Sequence, residues 1–145
     1  TDYSLVIGGI ENDVTYKLEN YAKFLNISHK LSITGFLSRS EMFDIINNSS
    51  ICVNLTSIPS YSDIVLPSKL FDYLSCNKPV IITDFQIVSK NIILKNKLGV
   101  VLNCLDKESI INAIDLIQKN YHSYTENLFK YSTTYESDDI NKYFI

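Results

Sequence analysis

The sequence predicts an α/β fold: a Rossmann-like, doubly wound parallel sheet of about five strands with helices on both faces. Three observations predict it. Short apolar runs alternate five times with longer stretches of helical periodicity, and the connections between them are short. The runs are apolar at consecutive positions, as strands covered on both faces require. The chain has 145 residues; at roughly 150 residues per domain this is one domain, whose core needs no disulfide staples.

The elements follow in order. Leu5-Val6-Ile7 is a buried strand that ends at the tight turn Gly8-Gly9. From Asn12 to Leu25 the residues Val14, Leu18, Tyr21, Ala22 and Leu25 recur at helical spacing. Leu31-Ser32-Ile33-Thr34 is a second short strand, closed by Gly35. Ser38 or Ser40 caps the next helix, which carries Met42, Phe43, Ile45 and Ile46 and stops at Asn47-Asn48. Ile51 to Leu55 is the third strand, and a polar loop from Thr56 to Asp63 follows it. Pro67 suits the first turn of a helix bearing Leu70, Phe71, Tyr73 and Leu74. Asn77-Lys78-Pro79 breaks that helix before the fourth strand, Val80 to Thr83. A helix over Gln86 to Lys95, a fifth strand over Gly99 to Leu102 and a helix over Asp106 to Lys119 complete the alternation. The tail, Tyr121 to Ile145, is rich in Tyr, Ser, Asn and Asp and reads as one or two weak surface helices.

Composition narrows the function classes. Thirteen basic against 16 acidic residues give a net charge of −3, which argues against a nucleic-acid footprint. No stretch approaches about 18 uninterrupted apolar residues, so no transmembrane helix is predicted. Cys52, Cys76 and Cys104 are far apart and form no C-x-x-C pair. They read as three small buried hydrophobes in a reducing compartment, and no metal site is predicted.

A parallel sheet places binding groups in the loops at the carboxyl ends of its strands. Those ends are Gly8-Gly9, Thr34-Gly35-Phe36, Leu55 to Asp63, Thr83-Asp84 and Asn103. They carry no dinucleotide fingerprint, no Walker A loop, no G-x-S-x-G elbow and no receiver-type acid pair. What remains is the segment from Leu66 to Thr83. Its helix opens with Leu66-Pro67-Ser68, where free N–H groups and a partial positive charge suit a phosphate, and Lys69 adds a full charge. Asp72, one turn later, has a carboxylate able to accept hydrogen bonds from a ribose diol. A helix with a solvated Lys-Asp pair and no ligand is the alternative reading of the same residues.

The run from Leu66 to Ile81 resembles the signature of group 1 glycosyltransferases with the GT-B fold. Members commonly carry L-P-S-K-L-F-E-Y-M-A-C-G-K-P-V-I in their C-terminal, nucleotide-sugar-binding domain. Leu5 to Gly9, Leu31 to Leu37 and Leu98 to Leu102 are similar to flanking strands of that domain, so the resemblance runs from about residue 4 to residue 117. It implies that 1–120 is a nucleotide-sugar-binding domain, with 121–145 as its helical tail. Asp72 takes the place of the family's ribose-binding glutamate and is one methylene shorter. The first acid of the family's Glu-x7-Glu pattern falls on Ile64 and is absent; Asp63 is one residue out of register. Leu66, Pro67, Ser68 and Lys69 are implied to face the diphosphate. Phe36 and Leu37 are implied to line the nucleobase, with core packing as the alternative for Phe36, and Gly9 to let the backbone approach the phosphates. His29 and His122 match no family position and read as surface residues.

The implied activity is transfer of a hexose from a nucleoside-diphosphate sugar, UDP- or GDP-linked, to a glycan or lipid-linked acceptor. No cofactor is implied, and no catalytic residue is expected in this chain. The acceptor would be held by an N-terminal lobe lying before Thr1, and the opening without methionine fits a fragment. The Asn-, Ile-, Lys- and Tyr-rich composition suggests an AT-rich bacterial genome and surface-polysaccharide assembly. The expected location is the cytoplasm, with contact of the full-length protein to the inner membrane face left open. A non-catalytic Rossmann-like module and a GT-B sugar-nucleotide epimerase lobe are the alternative functions.

Overall fold

Four consecutive residues, Val80 to Thr83, are too apolar to leave either face of their strand in water. Their need for cover organises the larger part of the chain. A computed structural model describes residues 3–9, 12–56 and 68–135. It divides into two compact units, Thr1–Ile45 and Ile46–Ile145.

In the first unit β1 (Leu5–Ile7) leads through α1 (Asp13–Phe24) and a 3-10 turn at Ser28–Lys30 into β2 (Leu31–Ile33). The two strands pair in parallel, Leu5 opposite Leu31 and Ile7 opposite Ile33. Asn12 caps α1 by accepting from the Val14 and Thr15 N–H groups, and the Thr15 hydroxyl accepts the Asn12 N–H in return. This reciprocal box explains where the helix starts. At its other end Asn26 adopts φ +58°, and the Ile27 N–H reaches back to the Ala22 carbonyl. The helix buries Thr15 and Ala22, whereas the apolar stripe Val14, Leu18, Tyr21 and Leu25 lies exposed. Apolar spacing thus marks the helix correctly without marking its buried side.

α2 (Arg39–Asn48) runs from the first unit into the second. Of the two serines that could cap it, Ser38 does so: its N–H and hydroxyl both reach Glu41, at 2.8 and 2.6 Å. Those bonds hold the Glu41 carboxyl below its usual range.

The second unit contains β3 (Cys52–Asn54), α3 (Ser68–Ser75), β4 (Val80–Thr83), α4 (Ile87–Asn96), β5 (Gly99–Leu102), α5 (Lys107–Lys119) and α6 (Tyr121–Tyr135). Its strands form a parallel sheet in the order β3-β4-β5. The five parallel strands expected from the sequence are therefore present, hydrogen-bonded as a pair and a triplet. β4 is the central strand of the triplet and is buried at all four positions. Ile81 packs with Leu102, Ala113 and Ile117, so α5 covers that face. Alternation sends Val80 and Ile82 to the opposite face, where both are fully buried.

Gly99 begins β5 directly against this strand. A Cβ added there would lie 2.0 Å from the Val80 carbonyl oxygen. α4 ends just before it with Lys97 at φ +54°, and the Leu98 N–H closes on the Ile93 carbonyl. α5 starts at Asp106, whose side chain accepts the Ser109 N–H at 2.7 Å.

Three expectations need correction. β1 is not a buried strand: Leu5 and Val6 are exposed and only Ile7 is half-buried. The tail is not merely a surface helix: α6 packs against α3, α4 and α5 and buries Leu128 completely. Tyr121, Tyr124 and Leu128, spaced three and four apart, give a polar-looking sequence one inward face. Residues 136–145 lie outside the described residues. The cysteines are also not uniformly buried. Cys52 is buried, Cys76 half-buried and Cys104 exposed, its sulfur beside the Asp106 carboxylate and the Ser109 hydroxyl.

Two outcomes follow from this packing. Gly99→Ala forces β4 and β5 apart and should cost about 3 kcal/mol, read as a fall in the urea midpoint. Burial pushes the Cys52 thiol up to about 12, so it stays protonated, and unreactive as a nucleophile, until far above neutral pH. Alkylation at pH 8 should label Cys104 and spare Cys52, as peptide mass mapping would read out.

Candidate functional site

The carboxyl edge of the first unit is built from backbone. The Thr34 N–H donates to the Ile7 carbonyl at 3.1 Å and the Gly9 N–H to the Gly35 carbonyl at 3.0 Å. These bonds continue the β1-β2 pairing past its last residues. Gly9 (φ +151°) and Gly35 (φ +69°) hold conformations that side chains resist, and a Cβ on either would meet nothing within 4 Å. Both glycines therefore line open space. Phe36 follows with 84% of its surface exposed, and Leu37 is half-buried beside Gly8. Core packing for Phe36 is thus excluded. Gly9, Phe36 and Leu37 share this edge.

The second unit presents α3. Leu70 and Leu74, four apart, are buried and seat the helix. Its end is fixed by Asn77 at φ +54°: the Asn77 N–H donates to the Leu74 carbonyl and the Lys78 N–H to the Tyr73 carbonyl. The Lys78 ammonium also bonds the Asn47 carbonyl in the last turn of α2 at 2.8 Å. With one side and the far end anchored, the first turn is left open: Ser68 and Lys69 are exposed, and Asp72 is half-buried one turn on. Ser68 and Asp72, four apart, lie on one side of the helix. Burial pushes the neighbouring Tyr73 phenol up, so it stays neutral near pH 7. Leu66 and Pro67, and positions 63 and 64, lie outside the described residues.

At the carboxyl ends of β3 and β4 the structure reveals a polar clasp not foreseen from sequence. The Thr83 hydroxyl, buried, accepts the Thr56 N–H at 3.2 Å and donates to the Thr56 carbonyl at 3.0 Å. The ladder itself ends at Asn54 opposite Ile82. A side chain thus replaces strand pairing two residues further out. Gln86, also buried, donates to the Asn54 carbonyl at 2.9 Å and to the Thr56 hydroxyl at 3.2 Å, and accepts from the Asn54 amide at 3.3 Å. The signal available in the sequence was a threonine ending an otherwise aliphatic strand and a glutamine opening an apolar helix.

The helix starts and strand ends of the second unit lie on one edge of its sheet, because each helix runs back from the carboxyl end of the strand before it. Ser68, Lys69 and Asp72 are brought together there; Gly9, Phe36 and Leu37 form their own group in the first unit. His29 and His122 are exposed, the latter 3.1 Å from Glu126. Among the described residues no group of three or more His, Cys, Asp or Glu is placed to hold a metal.

Comparison with known proteins agrees with this architecture. The chain matches the family model for glycosyl transferases group 1 over residues 1–134. No curated protein sequence matches it. Among solved structures it is similar to WaaG, described as a glycosyltransferase involved in lipopolysaccharide biosynthesis. The TM-score is 0.71 at 13% identity, over 94% of this chain and 35% of that one. At such identity the likeness is one of fold, and the chain spans about a third of that protein's length.

The clasp makes a direct prediction. Thr83→Val keeps the shape but leaves the Thr56 N–H and carbonyl unpaired, at a cost of about 1–3 kcal/mol. Thr83→Ser should keep most of the stability. Denaturant melts would read the difference, and hydrogen exchange should show protection of the Thr56 amide lost only in the valine variant.

Proposed function

The chain belongs to the group 1 glycosyltransferases, and from that premise we propose that it is the donor-binding lobe of a hexosyltransferase. In this reading the enzyme moves a hexose from a UDP- or GDP-sugar to a glycan or lipid-linked acceptor held by another lobe. The observation that carries it is the first turn of α3, with Ser68 and Lys69 exposed at a helix start and Asp72 one turn on.

The chemistry asks little else of this lobe. As the bond to the sugar breaks, negative charge grows on the departing nucleoside diphosphate. Oriented N–H groups and a cation placed beforehand stabilise that charge more than the ground state. The free N–H groups of α3 and the Lys69 ammonium supply both; the family resemblance assigns Leu66 and Pro67, outside the described residues, to the same role. Asp72 accepts the ribose hydroxyls in this assignment. In the first unit, taken by itself, Gly9 borders open space and exposed Phe36, with Leu37 beside it, offers an apolar surface of the kind a base stacks on. The donor is a substrate, and no cofactor or metal enters the scheme.

The same reading assigns the protein to bacterial surface-polysaccharide assembly in the cytoplasm, at or near the inner membrane face. No helix among the described residues is long and apolar enough to cross a membrane. A peripheral acceptor contact is thus ascribed to the other lobe.

The test is titration of the protein with UDP, GDP and ADP, followed by amide NMR. Shifts at Ser68 and Asp72 with one of the uridine or guanosine nucleotides are expected. Asp72→Ala should weaken that binding about tenfold, the loss of one hydrogen bond to a charged group, with the melting temperature unchanged. Silence with every nucleotide would sink the proposal in favour of a non-catalytic module. A collapse of the melt in Asp72→Ala would remove the ribose role.

A further inference from the structure

The carboxyl end of β4 holds one buried polar atom without a partner among the described residues. Asp84 follows Thr83 directly, and its N–H is held by the Leu102 carbonyl at 3.0 Å. Its Oδ1 is shut off from solvent and has no hydrogen-bond partner among the described residues. Buried carboxylate oxygens are costly to leave unpaired, more so than neutral acceptors. The neighbours sharpen the contrast: Thr83 and Gln86, on either side, are fully engaged in the clasp. The backbone that carries Asp84 is therefore held, while one oxygen of its carboxylate is unspent. This strand is the centre of a parallel triplet, and the carboxyl end of its strands is where such sheets bind ligands.

We propose that Asp84 is a specificity residue of the donor site, accepting a hydrogen bond from a hydroxyl of the bound nucleotide sugar. The proposal rests on the donor-binding reading above and adds to it a second acid, on the same edge of the sheet as Asp72. A carboxylate can only accept at neutral pH, and hydroxyls are the donors that a nucleotide sugar offers in number. Two sources supply them, the ribose and the hexose. A hydroxyl donating to Oδ1 would satisfy the oxygen, which must become accessible as the ligand enters.

The experiment compares UDP and GDP with UDP-glucose and GDP-mannose by calorimetry, on the wild-type protein, Asp84→Ala and Asp84→Asn. Loss of the acceptor should weaken the preferred nucleotide sugar about tenfold in Asp84→Ala, with a smaller loss in Asp84→Asn, which keeps shape and one acceptor oxygen. A hexose contact spares the free nucleotide; a ribose contact weakens both equally, and either result supports the proposal. Removing an unpaired buried carboxylate should leave the melting temperature unchanged or raise it. The proposal is overturned if the wild type binds and both variants bind equally well, or if both melt lower with affinity intact. Wild-type protein that binds none of the four ligands overturns the donor-binding reading itself. Should Asp84→Ala fail to fold, the isosteric Asp84→Asn carries the same comparison.

Discussion

The second unit depends on one constraint: β4 must be covered on both faces and both edges by a chain with few residues to spare. Its four side chains are each at most 1% exposed, so every neighbouring element is fitted to it. Gly99 has no side chain because the Val80 backbone occupies the place a Cβ would take. Register then follows, with Cys52 and Gly99 both opposite Val80. That register brings Asn54, Ile82 and Val101 to a common level, one residue before Thr83 and Leu102 pair at the carboxyl end. The position of the candidate site is thus a consequence of how an apolar strand is buried, before any polar residue is considered.

The polar residues divide into those that finish the fold and those that do not. With four glycines in the chain, and three of them in the turns after β1 and β2, helix ends are made by other means. Asn26 and Asn77 take the left-handed conformation, which asparagine tolerates better than most residues, and Lys97 takes it despite a less suited side chain. Asn12, Ser38 and Asp106 occupy helix starts. Each of these side chains or backbones has a local structural task. Ser68, Lys69 and Asp72 stand apart: α3 is seated by its leucines and ended by Asn77, and its first turn uses none of the three to hold it in place.

How much of this was legible depended on the kind of interaction. Runs such as Val80 to Thr83 and Gly99 to Leu102 announce strands because consecutive apolar residues have few other uses, and the observed bounds agree with the reading. Caps were readable from residue type, since a side chain that reaches its own backbone acts over three positions. The clasp was not readable, because Thr83 and Thr56 are 27 residues apart and meet only once the sheet has formed. The exposed stripe of α1 and the buried face of α6 were not readable for a related reason. Periodicity reports that a helix has two sides, and tertiary contacts choose between them. The α3 residues came from a resemblance to a family motif; their geometry then had to be read from the fold.

The carboxyl end of β4 shows why strength and function can be separated within a few residues. Thr83 and Gln86 pair with the side chains or backbone of Asn54 and Thr56, including backbone groups that strand pairing no longer reaches. Such pairing makes the strand ends rigid, and rigidity lowers the entropy that a ligand must otherwise remove on binding. Asp84, held between them by its backbone, gains nothing from the protein for one of its oxygens. A fold optimised only for stability would place a paired or apolar residue at that position. A fixed frame around an unsatisfied acceptor has the form of a site arranged in advance for a partner that is not part of the chain.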